Sequence, residues 1–345
     1  MYSFTFAHTM ITVTGGTGLL GSHLLFQLCI SGQNVRALHR KTSDLNLVKK
    51  VFSYYSTSVD ELFGHIEWVE ADLLDIVDCE RAFNGTSQLY HCAAVVSFDG
   101  RDQSVLEQNI ITTQNVVNTA LALGVEKMLY VSSVAALGRS KNKQHINESA
   151  EWVPGEHNSK YARSKYRAEL EVWRGVQEGL STVIINPTII LGPGDWSKGS
   201  AGLFRTIANG FKWYTTGVNG YVDVRDVSRA AIQLMNSDIQ GERFVVVGEN
   251  LSYKEFFGLI ADAMNVKAPY KKVSHFMSEM IWRLETLRST ITGKRAMVTK
   301  ETAYTARNAY YYDAAKLKEG LNFTFTPIAQ TVKDLAGFYK KELDS

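Results

Sequence analysis

Residues 10–21 read MITVTGGTGLLG, a β-branched run that ends in glycines and passes straight into the leucines of a helical pattern. Two spacings overlap in it: G-x-x-G-x-x-G through Gly15, Gly18 and Gly21, and G-x-G-x-x-G through Gly16, Gly18 and Gly21. Both serve one physical need. Glycine allows a tight turn and a close backbone approach to a pyrophosphate, while the following helix offers amide donors and the positive end of its dipole. Glycine turns are common, and elsewhere in a chain such a motif would be read as a merely structural turn. Here it sits between the first strand and the first helix, where the mechanism needs it. Gly15, Thr17, Gly18, Leu19, Leu20 and Gly21 are therefore the expected cradle of a dinucleotide.

Downstream, strand-like and helix-like stretches alternate. Leu19 to Ile30 is a predicted helix closed by Gly32, and NVRALHR, IEWVEAD, QLYHCAAVV and KMLYVSS are predicted strands. Val105 to Leu123 reads as a helix stopped by Gly124, and STVIINP as a strand buried on both faces. This rhythm predicts an α/β fold, a Rossmann doubly wound parallel sheet. After Pro187 the rhythm changes: LGPGDWSKGSAG is a loop, Leu203 to Asn209 a helix, and from Tyr253 the pattern is mainly helical. A smaller, mainly helical C-terminal substrate domain is expected from 188–220 with 248–345. YVDVRDV and RFVVVG are expected to return to the dinucleotide-binding domain, 10–187 with 221–247.

The chain has 345 residues, 45% hydrophobic and 21% charged, with a net charge of +2. That is ordinary globular composition and gives no basic field for nucleic acid. No apolar stretch reaches the roughly 18 residues of a membrane span, so no membrane partner is expected. Residues 1–9 lack a signal peptide's basic start and apolar core, and Met10 is an alternative start. Cys29, Cys79 and Cys92 are widely spaced with no C-x-x-C pair. Cys29 and Cys92 read as buried thiols of a reducing compartment, which implies a cytoplasmic chain. The scattered histidines form no H-E-x-x-H, so no metal is expected.

NAD-selective proteins of this fold carry an acidic residue roughly 20 positions past the glycines, on the ribose 2′-hydroxyl. That slot holds His39, followed by Arg40. A guanidinium matches a 2′-phosphate in geometry and charge, so NADP is the expected cofactor and NAD the alternative. The other reading of this pair is a solvated basic turn. Asp72, before Leu73, could accept from the adenine amino group or cap the next helix. Ala93 and Ala94 are small enough for a cofactor to lie against the sheet edge.

YARSK puts Tyr161 and Lys165 four apart, on one face of a helix. An ammonium beside a phenol favours the phenolate and lowers a pKa otherwise near 10, which suits carbonyl/alcohol interconversion. A chain with 16 tyrosines holds about one such pair by composition alone. Context raises its weight, because KMLYVSS delivers Ser132 and Ser133 to the carboxyl edge of the sheet, where a hydroxyl can hold a substrate oxygen.

With TGGTGLLG, ADLLD, HCAA, VSSVAALG, YARSK, LGPGD and YVDVRDV in this order, the chain resembles the extended short-chain dehydrogenase/reductases, the NAD-dependent epimerase/dehydratase family. VRALHR and YYYDAAKLKEGLNFTFTPIAQTV look most like its dihydroflavonol-reductase-like and hydroxysteroid-dehydrogenase-like members. The resemblance implies Tyr161 as general acid/base, Lys165 on the nicotinamide ribose and Ser133 orienting the reacting oxygen. It implies Asn109 as the asparagine that organises the nearby helix, and Pro187 beside the nicotinamide. Sugar-nucleotide members show R-P-x-N-x-Y-G-P, where this chain has Asn186, Pro187, Ile189 and Leu191. An apolar Ile189 offers a diphosphate nothing, although Arg205 or Lys212 could supply other phosphate ligands. The expected function is reduction of a less polar aldehyde or ketone, in a pocket to which Phe98, Trp196, Phe204, Phe211 and Tyr214 could contribute, although each taken alone reads first as a core residue. The alternatives are a nucleotide-sugar epimerase/dehydratase and a dinucleotide-sensing regulator without turnover. The family likeness suggests a homodimer.

Overall fold

In the computed structural model, which describes residues 10–96, 104–138, 145–155, 158–292 and 298–343, strand β1 (Met10–Thr14) leads through the glycines into α1 (Leu19–Ile30). Then follow β2 (Val35–His39), α2 (Leu45–Ser53), α3 (Val59–Gly64), β3 (Ile66–Glu70), α4 (Ile76–Phe83), β4 (Thr86–His91) and α5 (Ser104–Ala122). β5 (Lys127–Val131), α6 (Lys160–Gln177) and β6 (Thr182–Pro187) complete the alternation. Beyond it lie β7 (Ile189–Leu191), α7 (Ala201–Ala208), β8 (Trp213–Tyr214), β9 (Val218–Asp223), α8 (Val224–Met235), β10 (Glu242–Val246) and β11 (Glu249–Ser252). The chain closes with α9 (Tyr253–Met264), β12 (Lys271–Lys272), α10 (His275–Thr292), α11 (Lys300–Thr305), α12 (Ala315–Leu321) and α13 (Ile328–Leu343).

Seven strands form one sheet in the order β10-β6-β5-β4-β1-β2-β3, each pair parallel. Val13, Ala37, Leu89, Leu129 and Ile184 are fully buried, as in parallel strands covered on both faces. Residues of α1 and α8 pack on one face, and residues of α4, α5 and α6 on the other. The chain builds outward from β1 to β3, then returns to place β4 on the other side of β1. This reversal opens a crevice at the carboxyl ends of β1 and β4.

Two stretches depart from the sequence expectation. β4 ends at His91 rather than running on through Val96, and the Cys92 and Ala93 amides donate to the backbone and hydroxyl oxygens of Thr14 at 3.2 and 3.3 Å. YVDVRDV is half strand and half helix: β9 joins the three-stranded sheet β11-β9-β7, and Asp223 caps α8 by accepting from the Arg225 amide at 2.8 Å. RFVVVG supplies β10, which extends the large sheet beside β6. A separate core unites Phe204 of α7, Tyr221 of β9, Phe256 of α9 and Val332 of α13.

Candidate active site

A groove of about 320 Å³ occupies the switch point. Its floor is the glycine turn, lined by Gly15, Thr17 and Gly18, and its walls are the segments that follow β2, β3 and β4. Gly15 has φ +69°, and a Cβ there would lie 2.7 Å from the Ala93 amide nitrogen, so only glycine lets turn and strand close together. Gly21 packs equally tightly, since a Cβ would meet the Gly15 carbonyl oxygen at 2.1 Å. α1 starts behind Gly18 with no side-chain cap, whereas Asp44, Asp75, Ser159 and Asp223 cap α2, α4, α6 and α8. The first amides of α1 are thus left for an anion, and the turn fits a pyrophosphate. Leu19, Leu20 and Gly21 do not line the groove, and the Leu20 side chain belongs to the core. Their contribution to a bound ligand would come from the backbone.

His39 and Arg40 line the far wall with Ser43. Arg40 is exposed, and its guanidinium has no partner among the described residues. The Ser43 hydroxyl ties this segment to the turn, accepting from the Arg40 amide at 3.1 Å and from Thr17 Oγ1 at 3.5 Å. Asp72 and Leu73 line the opposite side. Asp72 does not cap a helix. Its Oδ1 accepts from the Leu74 amide at 3.0 Å in a local turn, and Asp75 caps α4 instead. Ala93, Ala94 and Asn109 complete the wall.

Asn109 joins the groove to the second half of the site. Its side chain accepts from the Val95 amide at 2.7 Å, donates to the Val95 carbonyl at 2.9 Å, and donates to Ser164 Oγ on α6 at 3.3 Å. Both of its amide N–H groups and its amide oxygen hold the β4 exit against α6.

Ser133, just past the end of β5, is brought beside Tyr161, and Ser133 Oγ accepts from the Ala135 amide at 3.1 Å. Burial raises the Tyr161 phenol above its ordinary value, and the Ser133 hydroxyl works against that rise. The Tyr161/Lys165 spacing alone predicts the opposite, a phenol lowered by Lys165. The Lys165 ammonium is instead directed to Val131 O at 2.8 Å and to the Tyr130 hydroxyl at 3.1 Å. Lys165 is 2% exposed, and burial pulls its pKa down from 10.5 to about 8. Glu169 and Cys92 act in the other direction, and Cys92 also lines the groove. Pro187 is buried at the end of β6, apart from the groove.

Beneath this group lies a network that none of the sequence motifs announces. Glu169 is 2% exposed and accepts four hydrogen bonds. They come from Ser132 Oγ at 2.5 Å, Asn186 Nδ2 at 2.8 Å, Arg243 Nη1 at 3.0 Å and Trp173 Nε1 at 3.3 Å. Asn186 also donates to the Ser133 carbonyl at 3.1 Å. Ser132 is therefore committed to the network, and Ser133 remains at the edge. The signal was available: Tyr161, Lys165 and Glu169 follow at four-residue steps, so the glutamate shares their inward face. Of the five aromatics, Trp196 and Phe204 take the core reading, 6% and 0% exposed. Phe211 is partly exposed against Phe257, Tyr214 is half-buried beneath Lys254, and Phe98 lies outside the described residues.

With this geometry in place, residues 11–248 match the NAD dependent epimerase/dehydratase family, and the chain belongs to it. It is 28% identical over 337 residues to a Synechocystis protein named as a dihydroflavonol 4-reductase, covering 95% of this chain and 94% of that one. It is 33% identical over 246 residues to sterol demethylase protein B of Methylococcus capsulatus, covering 69% of each. A Bordetella bronchiseptica enzyme crystallised with NAD and UDP shares the fold at TM-score 0.73 and 18% identity, covering 97% of this chain and 96% of that one. The protein is accordingly an NAD(P)-dependent enzyme of the oxidoreductase/epimerase type.

Proposed function

We propose that this enzyme reduces an apolar aldehyde or ketone to the alcohol, with NADP as its cofactor in preference to NAD. The observation that carries the reading is the juxtaposition of Ser133, at the carboxyl edge of the sheet, with Tyr161 on α6, and Lys165 one helical turn along. Bound dinucleotide would supply the hydride. Tyr161 delivers a proton to the substrate oxygen, Ser133 holds that oxygen, and Lys165 supplies positive charge beside both. Gly15, Thr17 and Gly18, with the amides of Leu19, Leu20 and Gly21, receive the pyrophosphate. Arg40 and His39 receive the 2′-phosphate, Asp72 and Leu73 the adenine, and Ala93, Ala94 and Pro187 border the nicotinamide half. Substrate enters over residues 188–220 and 248–345, with the cofactor on 10–187 and 221–247. The working form is a cytoplasmic homodimer.

Reduction is favoured over sugar-nucleotide chemistry by the segment after β6. Ile189 packs against an apolar core and Leu191 is fully buried, so neither offers a donor to a diphosphate. Screening aldehydes, ketones and nucleotide sugars by NADPH absorbance and product mass tests this. Carbonyl substrates should oxidise NADPH stoichiometrically, and UDP- or dTDP-sugars should leave the melting temperature unchanged. Conversion of a nucleotide sugar without net NADPH consumption would replace this reading with an epimerase.

A further inference from the structure

Helix α10 carries Phe276, Met280, Leu284, Leu287 and Ile291 on its outer side, exposed by 72%, 45%, 59%, 57% and 75%. At 3.6 residues per turn these positions fall within an arc of about 80° and run for about 22 Å along the axis. They make one continuous ridge. The opposite side holds the buried Ser278 and Ser289 and the half-buried Ile281 and Trp282, so the ridge is not the helix's packed face. Exposed apolar residues ordinarily scatter singly, and an aligned set marks an interaction surface.

The surrounding charge indicates what covers it. Residues 267–292 hold five Lys/Arg and two Glu, in a chain whose whole net charge is +2. Both glutamates are taken: Glu279 pairs with Arg283 and Arg307, and Glu285 with Arg288. Helical spacing places Arg283 and Arg288 on opposite flanks of the ridge. At its amino end Lys267, Lys271 and Lys272 have no carboxylate partner among the described residues. Lys267 lies 4.5 Å from the Tyr270 ring centroid and Lys271 5.1 Å from that of Trp213, while Tyr270 is 52% exposed. An apolar ridge edged by free ammonium groups and amphipathic rings matches the boundary between anionic headgroups and acyl chains. A second copy docked through the same ridge would bring the same lysines against one another.

We propose that α10 docks this enzyme on an anionic lipid surface, lying in the interface with the ridge inserted and the lysines on headgroups. Among the described residues no helix is long and apolar enough to cross a membrane, so the contact is peripheral. The sequence expectation of no membrane partner rested on searching for a continuous apolar run. This ridge is broken up by polar residues and emerges only at helical period. The inference does not depend on which reaction the site performs.

Sedimentation of the full chain with vesicles tests it. Vesicles of equal parts phosphatidylglycerol and phosphatidylcholine should carry the protein down, phosphatidylcholine alone far less, and added salt should release it. Leu284→Ser/Leu287→Ser should cut the partition at least about tenfold while the melting temperature holds, since both side chains are already exposed. Lys267→Gln/Lys271→Gln/Lys272→Gln should cut binding to the anionic vesicles by up to about a hundredfold. Failure of the unmodified protein to sediment with anionic vesicles overturns the proposal, as does undiminished binding by the leucine variant. A dimer in light scattering that the leucine variant converts to monomer would assign the ridge to a second copy instead.

Discussion

Arg40 and Lys165 are two cations placed in opposite surroundings. Arg40 stands in solvent at the wall of the groove, on a turn held by Ser43. Lys165 is enclosed between Tyr130, Val131 and the field of Glu169, and its pKa has dropped to about 8. A charge in water interacts weakly, is screened by salt, and can be replaced without disturbing its neighbours. A buried charge is felt strongly by everything around it, and removing one partner leaves the others uncompensated. The exposed end therefore suits choosing between cofactors, and the enclosed end suits setting protonation states. Each of the following experiments is a way to break that division.

The largest effect belongs to the enclosed end. Tyr161→Phe should preserve the fold and cofactor binding while cutting turnover by about 10² to 10⁴, the usual worth of a positioned acid. Near-normal turnover would mean that the proton comes from elsewhere and that the pairing of Ser133 with Tyr161 is only structural. Lys165→Met should damage turnover and cofactor affinity together.

At the exposed end the effect should be smaller and confined to one ligand. A charge-assisted contact to a 2′-phosphate is worth about 1.5 to 3 kcal/mol, or roughly 10- to 150-fold in affinity. Arg40 is exposed, so the lower part of that range and a clear loss with salt are expected. Arg40→Ala should remove most of the NADPH preference and leave NADH affinity nearly unchanged, and His39→Asp should reverse it. Equal affinity for the two cofactors in the unmodified enzyme would mean that Arg40 only faces solvent.

The same division explains what the sequence made legible. The glycine turn, the sheet and the Tyr161/Lys165 spacing are local patterns, each carried by residues a few positions apart. The Asp72 turn was half legible, because an aspartate before a helix can serve two backbone amides and only the fold shows Asp75 taking the cap. The Glu169 network was not legible. It joins residues 132, 169, 173, 186 and 243, drawn together from three strand ends and a helix face that sequence spacing does not relate. The direction of the Tyr161 shift was misread for the same reason. Spacing showed that Lys165 shares a face with it, but not that Tyr130 and Val131 hold the ammonium.

Glu169→Gln probes that network with the smallest effect and the sharpest sign. Burial pulls the Lys165 pKa down and Glu169 holds it up, so neutralising the carboxylate should take it further below 8. If reduction needs the ammonium, the basic limb of kcat/KM should move to lower pH, by about one unit for each tenfold change in the proton equilibrium. Turnover on the acidic side of the limb should stay near normal, because the glutamine keeps the shape around Ser132 and Asn186. Stability should carry the same signature. Lys165 has a folded value near 8 against 10.5 unfolded, so between the two the unfolded chain binds more protons and stability rises with pH. In the glutamine variant that rise should begin at lower pH, on top of a constant loss from leaving Arg243 without its carboxylate. A variant that loses stability uniformly while its rate profile keeps the limb near pH 8 would show that Glu169 only braces the fold. A limb that moves while cofactor affinity holds would place Glu169 behind the chemistry, acting through the charge of Lys165.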